Sequence, residues 1–591
     1  MPDWLASFNP GFLLILAGLI VMVMPSRQIR HLLMMVAPLL GIALLAIAPH
    51  QTDLMNIPVF SYSVSVYRVD GLNFVFGLGF LIAALLVAIY SLHTDDSRRE
   101  GMVLAYSGAA VAGVLAGDLV ALFIFWELAA FGSVLLIFQA GSRGAYYAGM
   151  RYLVIQLISM IILLYGMSYV GRYTGDLSLK AFTSFSDPGA LYVFIAFAIK
   201  AAFPFFHNWL QDALPKASVV GTVLMAAFTT KIAVYAFARL FPGFDILIWI
   251  GAAMAVFPVF FALIENDLRR VLAYSLNNQI GFMICAIGLG VAGTGNAMAL
   301  NGVAAHAFVH IIYMLLLFMS IGAVLYRTGT ARVTELGGLY RSMPWTALFC
   351  VIGAASVAAL PLFSGFIAHS MILSAVVSEA ASQPGLIAVW LMLLFAMGGV
   401  AAHAGVKVPY AAFFGKDRGL RVKEAPFNML LAMGMAALLS ITIGLPALVP
   451  GFGHSWLYGL LPNTLEAATF RPFTAGHVLP HLQLIVLALF AFILMRRIGL
   501  YPHEKPGLIL DTDWLYRRAG TEMVSWAGTI LGKTGPAIGA VFAGLTQRAY
   551  DRLEATFSPQ GNLARGGLSG GATIWMAVIL AAILLLSFLN A

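Results

Sequence analysis

Long apolar blocks separated by short polar loops run along almost the whole chain. Hydropathy places segments long enough for a membrane at roughly 10–24, 31–48, 71–92, 101–116, 118–140, 151–171, 188–209, 218–240, 244–264, 271–291, 297–326, 344–377, 386–413, 428–450, 479–499 and 572–590. A bilayer core about 30 Å thick needs about 20 apolar residues per helical crossing. The pattern therefore predicts an all-α, polytopic membrane protein of about sixteen transmembrane helices. The first segment starts ten residues in and lacks a small-residue cleavage site, which predicts a retained helix rather than a signal peptide.

The loops carry an asymmetric charge. Those after odd-numbered segments hold Arg27, Arg30, Arg98, Arg99, Arg143, Lys216, Arg269, Arg270, Arg327, Arg332 and Arg341, then Lys416, Arg418, Arg421, Lys423, Arg496 and Arg497. Those after even-numbered segments offer only Arg68, Arg172, Lys180, Arg239 and Arg471. Positive residues stay on the cytoplasmic side, so the odd-to-even loops are expected there and both termini on the opposite face. Residues 501–571 are too polar to span and too apolar to be a free loop; they predict an amphipathic helix along the cytoplasmic membrane surface, followed by a final span at 572–591.

Two segments share a proline-centred pattern. KAAFPFFHNW (200–209) and VAALPLFSGF (357–366) align on Pro204 and Pro361, which also pairs Ala201 and Ala202 with Ala358 and Ala359, and Phe206 with Phe363. Each segment is expected to be a broken helix. The two lie five spans apart, so they cross in opposite directions, and paired broken helices in inverted repeats point to an ion pathway.

Composition narrows the class. Hydrophobic residues make up 61% of the 591 and charged residues 10%, against about 45–50% and 25% in soluble proteins. Cys285 and Cys350 both lie in apolar runs, which leaves no disulfide scaffold and no cysteine-ligated metal or iron–sulfur site. The formal charge of +8 is spread over short loops and suits a basic membrane face, not nucleic acid. No GxGxxG turn, Walker phosphate loop or HExxH occurs, so no soluble catalytic domain, cofactor or metal site is expected.

A charge near the bilayer centre costs at least a few kcal/mol, so each intramembrane ionisable residue is a functional candidate. Glu127, Lys200 and Lys231 fall inside the fifth, seventh and eighth apolar segments. His306 and His310 sit four apart on one helix face, His369 follows the second break, and His403 and Lys407 sit four apart in the thirteenth segment. Burial favours a neutral lysine and a nearby carboxylate opposes that, so a Glu–Lys pair beside a second lysine is a two-state device: closing the Glu127–Lys200 pair eases proton release from Lys231. Histidines titrate near neutral pH and can pass protons on through water. A metal on the His306–His310 pair lacks a third ligand nearby in sequence.

FWELAAFGSVLL (125–136), KAAFPFFHNWLQDALPKAS (200–218), TKIAVYAFARL (230–240), ENDLRRVLAYSLNNQIGFM (265–283), GVAAHAFVHIIYMLLLFMSIGAV (302–324) and LPLFSGF (360–366) resemble the antiporter-like proton-translocating subunits shared by Mrp-type multi-subunit cation/proton antiporters and respiratory complex I. Met225 in place of a histidine before Lys231, and DTDWLYRR near 511, resemble the D-type Mrp subunits; the surface helix and extra final span resemble the largest complex I antiporter-like subunit. The resemblance implies helices 1–3 over residues 1–100, inverted five-helix repeats over 101–240 and 241–415, helices 14–15 over 416–500, the surface helix over 501–571 and the last span over 572–591. It implies essential roles for Glu127, Lys200 and Lys231 and matches His306 and His310 to the family's histidines. Two positions depart from it: Met314 stands where the family carries a lysine, and His369 where it carries lysine or glutamate.

These readings lead to a secondary-transporter subunit of an inner (plasma) membrane, with no enzymatic chemistry of its own. It exchanges protons for a monovalent cation such as Na+ among other membrane subunits. The alternatives are a proton-pumping membrane-arm subunit of a complex I-like or hydrogenase-like redox enzyme, the membrane subunit of an inorganic-carbon uptake system, or a degenerate channel whose surface helix acts as a clamp.

Overall fold

A computed structural model of the chain describes residues 7–501, apart from 51, 60–61, 291–295 and 450, together with ten positions between 511 and 555. The expected surface helix over 501–571 and the last span over 572–591 lie almost wholly outside the described residues.

The described helices coincide in place with the first fifteen apolar segments. They are α1 (Pro10–Val23), α2 (Arg27–Ile47), α3 (Gly71–Ser91), α4 (Ser97–Val114), α5 (Leu119–Phe138), α6 (Arg143–Thr174), α7 (Ala190–Lys200), α8 (Asn208–Ala213), α9 (Val219–Leu240) and α10 (Asp245–Ile264). They continue with α11 (Leu268–Leu289), α12 (Ala297–Thr328), α13 (Pro344–Val357), α14 (Ser364–Ala380), α15 (Leu386–Val400), α16 (Phe427–Gly444), short α17 (His454–Tyr458) and α18 (Thr464–Thr469), and α19 (Ala475–Arg497). Eleven described helical stretches are long and apolar enough to cross a membrane, and four shorter apolar helices accompany them. Helix starts follow their capping residues: Asp96, Asp118 and Asp267 accept hydrogen bonds from the first turns of α4, α5 and α11, and Asp70 forms a capping box with Asn73 at α3.

The all-α expectation needs one correction. Thr52–Val59 and Tyr62–Val69 form an antiparallel hairpin, β1 and β2, paired from Thr52↔Val69 to Val59↔Tyr62. YSVSVYRV is rich in β-branched and aromatic residues, which suit a pleated ribbon. The hairpin is pinned through Gly117 N–H to Ser65 O at 2.9 Å and Arg68 N–H to Leu115 O at 3.0 Å, so it sits over the α4–α5 turn. α6 also starts earlier than expected, at Arg143, and runs for 32 residues.

The two proline-centred segments share a backbone conformation. Ala202 and Phe205 have φ of 59° and 71°, while Ala359 and Leu362 have 56° and 75°. These are the same offsets from Pro204 and Pro361, and they are the four non-glycine residues with positive φ among those described. Each such residue costs about 1–3 kcal/mol and persists only where its surroundings over-determine it. In both segments the helix stops, turns through left-handed residues around the proline and restarts as α8 or α14.

Glycines let two helix pairs touch backbone to backbone. A Cβ on Gly251 of α10 would meet the Cys285 amide nitrogen of α11 at 2.2 Å, and one on Gly281 would meet the Ala255 nitrogen at 2.4 Å. Gly11 and Gly108 bring α1 and α4 together in the same way.

Candidate ion-translocation site

The first polar group is built where α5 crosses the end of α7. Lys200, the last residue of α7, places Nζ 2.8 Å from Glu127 Oε1, 3.2 Å from Gln156 Oε1 of α6 and 5.0 Å from the centre of the Trp126 ring. Lys200 is 1% exposed and Glu127 9%. Two opposite charges withdrawn from water hold each other only if geometry and further hydrogen bonds compensate for desolvation; the amide of Gln156 and the aromatic face of Trp126 supply that here. Behind them Trp209 of α8 donates to the Ile199 carbonyl at 2.9 Å, tying the two halves of the broken helix across the turn.

Lys231 lies in the middle of α9 and is fully buried. Its ammonium donates to the Ala226 carbonyl of its own helix at 2.6 Å and approaches Thr230 Oγ1 at 3.5 Å. Among the described residues no carboxylate pairs with it. The structure thus brings Glu127 and Lys200 together and leaves Lys231 apart from that pair, facing the histidines: His306 and His310 of α12 both lie within its electrostatic reach.

The histidines form the centre of the second half. His306 and His310 have ring centres 5.8 Å apart, and His306 lies 4.6 Å from His369 of α14. His306 Nε2 is 3.0 Å from Gln279 Oε1 and 3.1 Å from Tyr313 Oη, and Tyr313 donates to the same Gln279 oxygen at 2.8 Å. Both ring nitrogens of His310, Nδ1 of His306 and Nε2 of His369 are buried without a partner among the described residues. Buried polar groups are nearly always satisfied, so these four nitrogens call for water. Met314 is fully buried beside them, where a lysine would have extended the line.

His403 and Lys407 stand elsewhere. Both lie in a π-helical stretch, Ala401–Lys407, that follows α15. Lys407 donates to the carbonyls of Leu263 and Glu265 at 2.7 Å and Ala262 at 3.3 Å, capping the C-terminal end of α10. His403 is fully buried, interacts with the Gly399 backbone one turn back, and makes no ring contact with the other histidines among the described residues.

Four site residues escaped the sequence reading: Gln156, Gln279, Tyr313 and Asn277, whose amide donates to the Ala202 carbonyl in the first break at 2.9 Å. The run Asn277–Asn278–Gln279 inside an otherwise apolar helix was the available signal. His207, which opens α8, was also missed; its Nε2 lies 2.7 Å from Asp511 Oδ2, so the chain beyond α19 returns to the first helix break.

Residues 116–405 match the family model described as NADH:quinone oxidoreductase/Mrp antiporter, TM. The chain is 29% identical over 462 residues to hydrogenase-4 component B of Escherichia coli, covering 70% of this chain and 66% of that one. It is 27% identical over 429 residues to a Na(+)/H(+) antiporter subunit of Alkalihalophilus pseudofirmus, covering 66% and 53%. The chain thus spans between half and two thirds of the length of these relatives. Among solved structures, a chain of the membrane-bound sulfane sulfur reductase, an archaeal respiratory membrane complex, superposes with a TM-score of 0.67 at 19% identity, covering 98% of this chain and 99% of that one; it shares the fold. The chain, with eleven described helices long and apolar enough to cross a membrane, is thus similar over residues 116–405 to the NADH:quinone oxidoreductase/Mrp antiporter transmembrane family.

Proposed function

We propose that the chain is the proton-translocating subunit of a multi-subunit Mrp-type antiporter that exchanges protons for a monovalent cation such as Na+. The observation that carries this reading is a set of buried ionisable groups: the closed Glu127–Lys200 pair, Lys231 in the middle of α9, and the neighbouring rings of His310, His306 and His369. In this proposal Lys231 exchanges protons with the histidines through water, and opening of the Glu127–Lys200 pair resets it. The breaks at Pro204 and Pro361 give each half a flexible joint at the depth of the charges. Sixteen membrane helices, inverted repeats over 101–240 and 241–415, and termini on the non-cytoplasmic face complete the arrangement. His403 and Lys407 belong to it as a cytoplasmic-side branch, with Lys407 also holding the end of α10.

The likeness to hydrogenase-4 component B and the end-to-end superposition on the sulfane sulfur reductase chain favour a second reading, in which electron transfer in neighbouring subunits drives the same residues. Two measurements decide. Everted vesicles carrying the native complex should show cation-driven proton flux that Lys231→Ala abolishes; flux unaffected by Lys231→Ala refutes the channel. Mass spectrometry of the complex purified in mild detergent should find small hydrophobic partners, whereas co-purifying flavin or iron–sulfur subunits would transfer the chain to the redox-driven reading.

A further inference from the structure

The line of histidines does not stop at His369. Beyond it stands α19, which lies outside the matched residues 116–405 and carries His477 and His481 in its first two turns. His481 is 2% exposed. Its ring packs 5.0 Å from Phe366, one turn before His369 on the same face of α14, and His369 and His481 lie within electrostatic reach of each other. One turn further out, His477 Nε2 is 3.5 Å from Ser374 Oγ of α14. α19 thus meets α14 at two side-chain contacts, with deep His481 beside the His369 end and half-buried His477 beside Ser374.

The two buried rings are held alike. His369 Nδ1 lies 2.9 Å from the Gly365 carbonyl and His481 Nδ1 lies 2.7 Å from the His477 carbonyl, each four residues back on its own helix. A carbonyl only accepts, so Nδ1 carries the hydrogen in both rings and Nε2 is left as the basic atom. Both Nε2 atoms, and Ser370 Oγ beside His369, are buried without a partner among the described residues. Polar atoms this concentrated require water between the helices.

We propose that α19 completes the outer half of the proton pathway, with His481 and then His477 carrying protons between His369 and the non-cytoplasmic face. Nε2 of His369 first takes a proton from the water on the His306 side and becomes imidazolium, then releases it to the intervening water; Nε2 of His481 accepts it, becomes imidazolium in turn, and returns it to water beside His477 and Ser374. Lys231, His306 and His310 stand on the inner side of this step, and His454 and Arg471 on its outer side. The assignment rests on the proton-pathway reading above and gives it an exit where Met314 and His369 depart from the family's pattern.

The test uses the full chain in its native complex. His481→Phe keeps a ring of similar volume and removes the titrating nitrogen; proton flux in everted vesicles should fall about tenfold or more, with the amount of assembled complex unchanged. Flux at the wild-type level in His481→Phe, while Lys231→Ala abolishes it, overturns the exit through α19 and leaves the pathway reading intact. Flux surviving Lys231→Ala overturns the reading beneath it. Should His481→Phe not assemble, His481→Cys in a Cys285→Ala, Cys350→Ala background decides: labelling by a membrane-impermeant thiosulfonate from the non-cytoplasmic side is expected of a hydrated route, and a cysteine that stays unlabelled overturns it.

Discussion

Glu127 and Lys200 show how much a single pair depends on its surroundings. Each charge is withdrawn from water, and breaking such a pair by removing one partner costs about 3–5 kcal/mol. Glu127→Gln keeps the shape and leaves the Lys200 ammonium beside a neutral amide. Proton flux in vesicles should drop about tenfold or more, and Glu127→Asp should recover part of it. The loop carboxylates behave differently. Asp417, hydrogen-bonded by Arg421 in the exposed loop before α16, has its carboxyl lowered from 3.8 to about 2. A depressed carboxylate adds stability that is complete above its unfolded value and is lost only as pH falls through about 2. Arg421→Gln should therefore leave the pH profile of flux between about pH 5 and 8 superimposable on wild type, because Asp417 is fully ionised throughout that range with or without its partner.

At the scale of elements, the breaks and the glycine contacts matter most. Pro204 and Pro361 were legible as helix breakers from sequence alone, since proline lacks an amide hydrogen and clashes with the preceding turn. That Ala202, Phe205, Ala359 and Leu362 take left-handed conformations was not legible, because each prefers another region and only surrounding contacts, such as Asn277 on the Ala202 carbonyl, hold them there. The hairpin over 52–69 was hidden for a simpler reason: a window long enough to detect a membrane helix averages over eight-residue strands. The α10–α11 contact yields a sharp expectation. Gly281→Val would drive a side chain into the Ala255 backbone, where no flexible group can give way. Overpacking costs about 1–3 kcal/mol or more, so the variant should show a lower unfolding temperature in detergent and less assembled complex on a native gel, whereas Gly434→Ala, facing the end of the Phe349 ring at 3.4 Å, should not.

For the whole molecule, the contact between Asp511 and His207 joins the chain after the last described helix to the first helix break. Both side chains are buried, at 4% and 1% exposure. Asp511→Ala leaves the buried His207 Nε2 without its hydrogen-bond partner, a loss that costs about 1–3 kcal/mol. Thermal melts of the purified complex should shift down, and protease cleavage after residue 501 should speed up; unchanged values in both would show that the contact does not anchor the tail.

The sequence by itself determined the membrane class, the placement of the helices, the two breaks and the ionisable residues. Those signals are local: an apolar run, a proline or a charge in a hydrocarbon setting carries its cost wherever the chain goes. Only the tertiary structure decided who meets whom. Glu127 and Lys200 are 2.8 Å apart across 73 residues of chain. His306 touches His369, Lys407 caps α10 rather than joining the histidines, and α19 brings His481 to α14. Such pairings depend on which helix faces pack together, and that is set by side-chain complementarity summed over the whole bundle, which no local pattern encodes.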